Sequence, residues 1–226
     1  MRGDRLKARI SRIRAASGVE AVSDCFGMDR GLPILRYYME RFLEEFRADV
    51  RGQCLEFEAA WYTQRFGGDA VTASDVLHID DSNPLATIVA DLTQPNDVAS
   101  EQFDCVICTF TLHLVYEYEK LVSDLHRVLK PGGVLLVGAP TVSMSDPDWH
   151  ELWRFTPEGL AALLQRTFPG GEVLVRGYGN SLTAAGQMRG LAAQEFTAEE
   201  LDYSDPRFAV LACGRAVRAH GNGRAQ

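Results

Sequence analysis

Hydrophobic positions along the chain alternate between two patterns. Short, near-continuous apolar runs recur at 53–57, 70–79, 87–90, 103–110, 134–139, 172–177 and 208–213, as expected of strands buried on both faces. Between them, apolar residues spaced three and four apart predict helices at about 61–66, 116–129, 157–168 and 182–194. The helix ending in LHRVLK carries basic residues in its last turn and is stopped by the PGG that follows. Strands alternating with helices in this way predict a mostly parallel sheet with helices on both faces, whose ligand crevice lies beyond the strands' carboxyl ends.

Upstream of the first strand the pattern changes. Residues 4–16 read as a helix and 17–33 as an irregular segment. Pro33 then suits the first turn of a helix on which Ile34, Tyr38, Phe42 and Phe46 repeat every four residues, with Leu35, Met39 and Leu43 widening the apolar face. The domain reading is therefore a helical extension or lid at 1–50, an α/β domain at 51–218 and a flexible tail at 219–226.

Composition narrows the class. Of the 226 residues, 46% are hydrophobic and 24% charged, ordinary values for a chain with a sizeable core. The net charge of -8 is unevenly spread, because the first fourteen residues hold five Arg and one Lys against a single Asp. An acidic body argues against a broad nucleic-acid surface, and the basic start reads as a solvated amphipathic helix in preference to a partner or membrane-surface helix. No run approaches the ~18 apolar residues of a membrane span, and the start lacks the apolar segment of a signal peptide, so the expected address is cytoplasmic. The five cysteines suggest no disulfide framework. Cys105 and Cys108 form a CVIC string, but inside a strand residues three apart face opposite sides of the sheet. The histidines and cysteines lack the spacing of a metal site, and neither a Walker-type phosphate loop nor a GxSxG elbow occurs.

The run FDCVICTFTLHLVYEYEKLVSDLHRVLKPGGVLLV, with acidic residues closing the strands upstream of it, resembles the class I S-adenosylmethionine-dependent methyltransferases. FGMDRGLPILRYYMERFL, YTQRFGG, SDVLHID, ATIVADL and LWRFTPEGL are similar to a bacterial subfamily that accompanies sugar, polysaccharide or natural-product biosynthesis. The resemblance covers about residues 20–218 and implies a Rossmann-like, seven-stranded, mostly parallel α/β fold with S-adenosylmethionine as cofactor. It also implies a small-molecule acceptor, methylated on a hydroxyl. The N-terminal helices could dock on a second subunit.

Mapped onto this sequence, the resemblance places Glu56 at the end of the first strand, with Glu58 and Tyr62 in the turn after it. Asp75 or Asp80 would hold the ribose diol, since a carboxylate accepts both hydroxyls well. Asp91 and Leu92 would flank adenine, and Thr109, Phe110 and Thr111 would line the methionine side, with Arg30 and Tyr38 covering its end. Each Asp has a plainer reading as a turn former or helix cap. Glu58 stands where the family has glycine, a position at which a side chain enters the cofactor's approach path. Leu35 is a second departure, replacing an acidic residue.

Methyl transfer to a hydroxyl needs alignment and a base. His150, between the fifth strand and the next helix, and His113, just after the fourth, are the candidates, each weighed against an ordinary surface histidine. Trp149 and Trp153 read as loop packing or as stacking platforms. The alternative to a methyltransferase is a protein of the same fold that has lost methyl transfer and serves as a binding subunit, or that catalyses a non-methylating biosynthetic step.

Overall fold

The structure is a computed structural model that describes residues 18–146 and 148–220. The helix expected at 4–16 and the last residues of the expected tail lie outside the described residues. The segment from Gly18 to Leu32 is irregular, as expected, and leads into helix α1 (Ile34–Glu45), preceded by Pro33.

Seven strands follow: β1 (Gly52–Phe57), β2 (Val71–His78), β3 (Ile88–Val89), β4 (Phe103–Thr109), β5 (Leu129–Pro140), β6 (Val173–Tyr178) and β7 (Leu211–Val217). They form one sheet in the order β3-β2-β1-β4-β5-β7-β6, with β7 antiparallel to both of its neighbours. The order reverses between β1 and β4, so the carboxyl ends of those strands open the crevice in which such sheets bind ligands. Helices α2 (Tyr118–Val128), α3 (Pro157–Thr167), α4 (Ser181–Met188) and α5 (Ala198–Asp202) complete the fold.

The core has two halves, one on each side of the sheet. One packs α2 and α3 through Leu121, Leu125, Leu160 and Leu164 against Val106, Cys108, Leu135 and Val137. The other packs α1 through Ile34, Tyr38, Met39 and Phe42 against Cys54, Cys105, Leu136 and Cys213. Cys105 and Cys108 thus face opposite sides, as the strand period requires. Gly138 of β5 lets α1 approach closely, because a Cβ there would stand 2.4 Å from Met39 Sδ. That contact makes α1 part of the sheet's packing.

Some boundaries differ from the sequence expectation, each for a local reason. β5 begins at Leu129 because Leu129 pairs with Phe103 before the register shifts across Pro131-Gly132-Gly133, where Gly132 has φ +80°. The preceding helix therefore ends at Val128. α4 is shorter than expected: Asn180 caps its start, accepting from the amides of Leu182 and Thr183, and Gly190 at φ +70° follows its end. β7 starts late because Asp205 caps a tight turn at Pro206–Phe208. The helix expected at 61–66 is a helical turn that becomes π-type over Thr63–Gly67.

Candidate functional site

The turn after β1 is built on a buried carboxylate. Glu56 is only 3% exposed, and its two oxygens accept the amides of Tyr62 at 3.1 Å and Thr63 at 2.7 Å. Burial raises its pKa, and those amide donors oppose the rise. Both oxygens are committed to the protein, so Glu56 shapes the turn. Tyr62 is buried against Phe66, and burial pushes its phenol up to about 12.

Glu58 occupies the turn with φ +66°, the left-handed conformation natural to glycine. The backbone thus keeps the geometry expected of a glycine there while carrying a side chain. Parallel register places Phe57 beside Leu77, so Glu58 and His78 emerge side by side from β1 and β2. The Glu58 carboxylate lies 3.3 Å from His78 Nε2, and the Glu58 carbonyl accepts from Asn83 Nδ2 at 2.7 Å. On the other ring nitrogen, His78 Nδ1 contacts the Asp80 carbonyl at 2.9 Å and its carboxylate at 3.1 Å. The Asp80 carbonyl, with help from the two carboxylates, raises the pKa of His78. Asp80 is exposed and caps Ser82, whose hydrogen bonds lower its pKa.

Register separates the two ribose candidates. Asp75 sits in the body of β2 opposite Leu55, with its carboxylate on Gln53 and Thr87. Asp80 lies just past the carboxyl end of the strand, beside Glu58 and His78. Asp91 follows β3 and accepts from the amide and hydroxyl of Thr93 at 2.8 and 2.7 Å, while Leu92 is buried in the α2/α3 half of the core. Thr109 ends β4, Phe110 takes φ +53° while its amide donates to the Gly138 carbonyl, and the Thr111 hydroxyl donates to the Thr109 carbonyl. Arg30 and Tyr38 are committed elsewhere. Arg30 is salt-bridged to Glu195, and Tyr38, 2% exposed, donates to the Leu201 carbonyl and contacts the Thr183 hydroxyl. Tyr38 therefore ties α1 to α4 and α5.

Beyond the end of β4, His113 is 5% exposed. Its Nε2 lies 3.6 Å from Glu151 Oε1, and its Nδ1 has no hydrogen-bond partner among the described residues. Burial drives its pKa down to about 4; Glu151 opposes this and Arg154 adds to it, so the ring is neutral at pH 7. Arg154 pairs with Glu151, and the backbone amides of Leu152 and Trp153 donate to the His113 carbonyl. Those bonds lay the loop after β5 over the end of β4. On the same loop His150 is exposed, whereas Glu151 next to it turns inward. Trp149 is half exposed; Trp153 donates to the Val115 carbonyl and packs on Tyr116 and Tyr118, which makes it a packing residue of the loop.

Near this loop Ser143 accepts from Gln187 Nε2 at 3.2 Å. Gln187 is fully buried, and its Oε1 also lacks a hydrogen-bond partner among the described residues. Sequence reading missed His78, Ser143, Glu151, Arg154 and Gln187. His78 carried a signal, two residues from the candidate Asp80, whereas Glu151 stands beside His150 with nothing local to link it to His113. Gln187 carried none. A groove of about 450 Å³ adjoins this loop, lined by Tyr118, Trp153, Arg154, Phe155, Leu163 and Arg166 among others.

The strand order, with its reversal between β1 and β4 and its antiparallel seventh strand, meets an independent match in sequence: the family model described as methyltransferase domain covers residues 59–137. The chain carries the class I methyltransferase fold. No curated protein matches its sequence. Among solved structures, this methyltransferase fold is similar to the 4+2 cyclase SpnF, with a TM-score of 0.55 and 16% identity over 96% of this chain and 93% of that one. It is also similar to an S-adenosylmethionine-dependent methyltransferase from Mesorhizobium loti, with a TM-score of 0.52 and 17% identity over 81% of this chain and 100% of that one. A third is the Burkholderia thailandensis 1,6-didemethyltoxoflavin-N1-methyltransferase, whose structure holds S-adenosylhomocysteine; the TM-score is 0.50 and the identity 13%, over 82% of this chain and 78% of that one. Identities this low speak to the fold, and the same fold carries several chemistries.

Proposed function

We propose that this chain is an S-adenosylmethionine-dependent methyltransferase that O-methylates a hydroxyl of a small molecule, such as a sugar or natural product. The observation that carries the reading is the bare, buried Nδ1 of neutral His113 beyond the end of β4. Gln187 Oε1 is a second unmet acceptor, joined to the same loop through Ser143. Buried polar atoms are ordinarily hydrogen-bonded, and two acceptors left over call for a ligand that brings donors, as hydroxyl groups do.

On two points the turn after β1 suits the cofactor. Its backbone keeps the glycine conformation at Glu58, and the Glu58 side chain leans toward His78 at the end of β2. Glu58 and Asp80, flanking His78, would then hold the ribose diol, with Asp91 and Leu92 at adenine and Thr109, Phe110 and Thr111 toward the methionine side. When bound, S-adenosylmethionine supplies an electrophilic methyl group. The protein's part is to align the acceptor, exclude water and take the hydroxyl proton on His113 Nδ1.

One observation favours the alternative, a fold relative that no longer transfers methyl groups. The Cβ of Glu58 stands where glycine leaves room, and the polar groups around it satisfy one another. Calorimetric titration with S-adenosylmethionine and S-adenosylhomocysteine, on wild type and Glu58→Gly, tests the choice when joined to a labelled-methyl assay over hydroxylated acceptors. Micromolar binding by wild type with label transfer is the expected result. No binding by wild type, restored in the variant, would assign the chain to the non-methylating reading.

A further inference from the structure

His113 and Glu151 come from loops after different strands and meet in a buried place. The Glu151 side chain is 6% exposed, its Oε1 faces His113 Nε2 at 3.6 Å, and its Oε2 is paired with Arg154. That separation is long for a hydrogen bond, but a carboxylate so close and so little solvated still selects which ring nitrogen carries the proton. The Nε2–H form directs a positive edge at the carboxylate. The opposite tautomer would set a lone pair against it and bury an N–H donor on the side where no acceptor is found among the described residues.

We propose that Glu151 is a positioning residue that holds His113 in the Nε2–H tautomer, so that Nδ1 is kept as a bare acceptor for the proton of the substrate hydroxyl. Arg154 fixes Glu151 in turn: its guanidinium also approaches the carbonyls of Ser143 and Met144, both at 3.4 Å. The hydroxyl proton would pass to Nδ1 and the oxygen would keep the O–H electron pair for its bond to the methyl carbon, whose bond to the donor's sulfonium sulfur would break, the neutral thioether leaving with that electron pair. The imidazolium so formed faces the Glu151 carboxylate, which stabilises its charge. This inference rests on the O-methylation reading for its catalytic part, while the tautomer itself is a property of the free protein.

The test is nitrogen NMR of histidine-labelled protein, with His113 assigned by its absence in His113→Asn, beside steady-state kinetics of Glu151→Gln and Glu151→Ala. Wild type is expected to show the Nε2–H tautomer. Glu151→Ala is expected to populate the Nδ1–H form and lower kcat by about 10–100-fold with little change in KM, the usual loss when an orienting partner is removed. Glu151→Gln leaves Arg154 a neutral acceptor and guards against loss of fold; it should keep the tautomer through its carbonyl oxygen, titrate at lower pH than wild type and lose less activity. A predominant Nδ1–H form in wild type, or a tautomer unchanged in Glu151→Ala, overturns the proposal. If wild type transfers no methyl group but shows the expected tautomers, the O-methylation reading fails and the role of Glu151 in setting the ring stands.

Discussion

The two sides of the carboxyl-end crevice differ in how their polar groups are met, although Thr63 Oγ1 in the turn after β1 also lacks a partner among the described residues. At the ends of β1 and β2, Glu58, His78, Asp80 and Asn83 satisfy one another at distances of 2.7–3.3 Å. Beyond β4 and β5, His113 Nδ1 and Gln187 Oε1 are buried without hydrogen-bond partners among the described residues. The two carboxylates of the first group are exposed while His78 and Asn83 are partly buried, so water competes for the carboxylates' contacts and a ligand can exchange for them at small cost. The second is shielded, where an unmet polar atom costs roughly 1–3 kcal/mol. Such a cost is recovered when a ligand supplies the missing donors. On the proposed function, the contrast puts the binding energy still to be gained on the side assigned to the acceptor and a replaceable polar lining on the side assigned to the cofactor.

The sharpest way to break this contrast is at His113. His113→Asn is expected to lower kcat by about 10²–10⁴-fold, the range for loss of a general base, and an unchanged kcat would remove His113 from the chemistry. The same variant changes acid stability in a direction fixed by the shift. The folded-state pKa of His113 is depressed to about 4 from 6.5, so between those values the unfolded chain binds more protons. Wild type therefore loses stability as pH falls from 6.5 toward 4, and has nothing further to lose from this group above 6.5. Denaturant midpoints measured across that window should be flatter in His113→Asn.

A smaller effect is expected at Glu56, the scaffold of the cofactor side. Glu56→Ala strands two buried amides, those of Tyr62 and Thr63, and should cost about 2–3 kcal/mol of unfolding free energy. Chemical denaturation measures this directly. A loss below roughly 0.5 kcal/mol would mean that the turn does not depend on the carboxylate, and the difference between a built cofactor side and an unmet acceptor side would weaken.

How much of this was legible in the sequence depends on how local each signal was. β1, β2 and β4 were found almost to the residue, because each carries an apolar segment bounded by a polar turn, although β2 mixes polar residues into its first half. β5 was cut short because Leu129 joins the sheet before the Pro-Gly-Gly irregularity, and only its pairing with Phe103 reveals that. β7 was displaced because Phe208 reads as strand but lies in a turn capped by Asp205. In the site, His113 could be flagged because it follows a strand directly. Its partner could not, since Glu151 reaches it only through the folding of a distant loop, and the exposed His150 beside it drew the attention instead. Asp75 and Asp80 were inseparable by sequence, and strand register separates them.

The finest test lies at the glycine-like turn, where the expected changes are smallest. A residue with a side chain held at φ +66° costs about 1 kcal/mol relative to glycine, so Glu58→Gly should relieve strain of that order while giving up the contact with His78. The two effects oppose each other, and pH tells them apart. The pKa of His78 is raised in the folded protein, chiefly by the Asp80 carbonyl and further by Glu58, so its stabilising contribution is full below pH 6.5 and is lost as pH rises through the folded-state value. In wild type the turn should therefore be held most firmly on the acid side and yield more readily above the raised folded-state pKa of His78. In Glu58→Gly that pH dependence should shrink without vanishing, since Asp80 remains. Histidine NMR titration of both proteins checks this: a His78 midpoint equal in the two would mean that Glu58 does not engage the ring in solution, and the polar lining of the cofactor side would then be looser than the contacts among these residues imply.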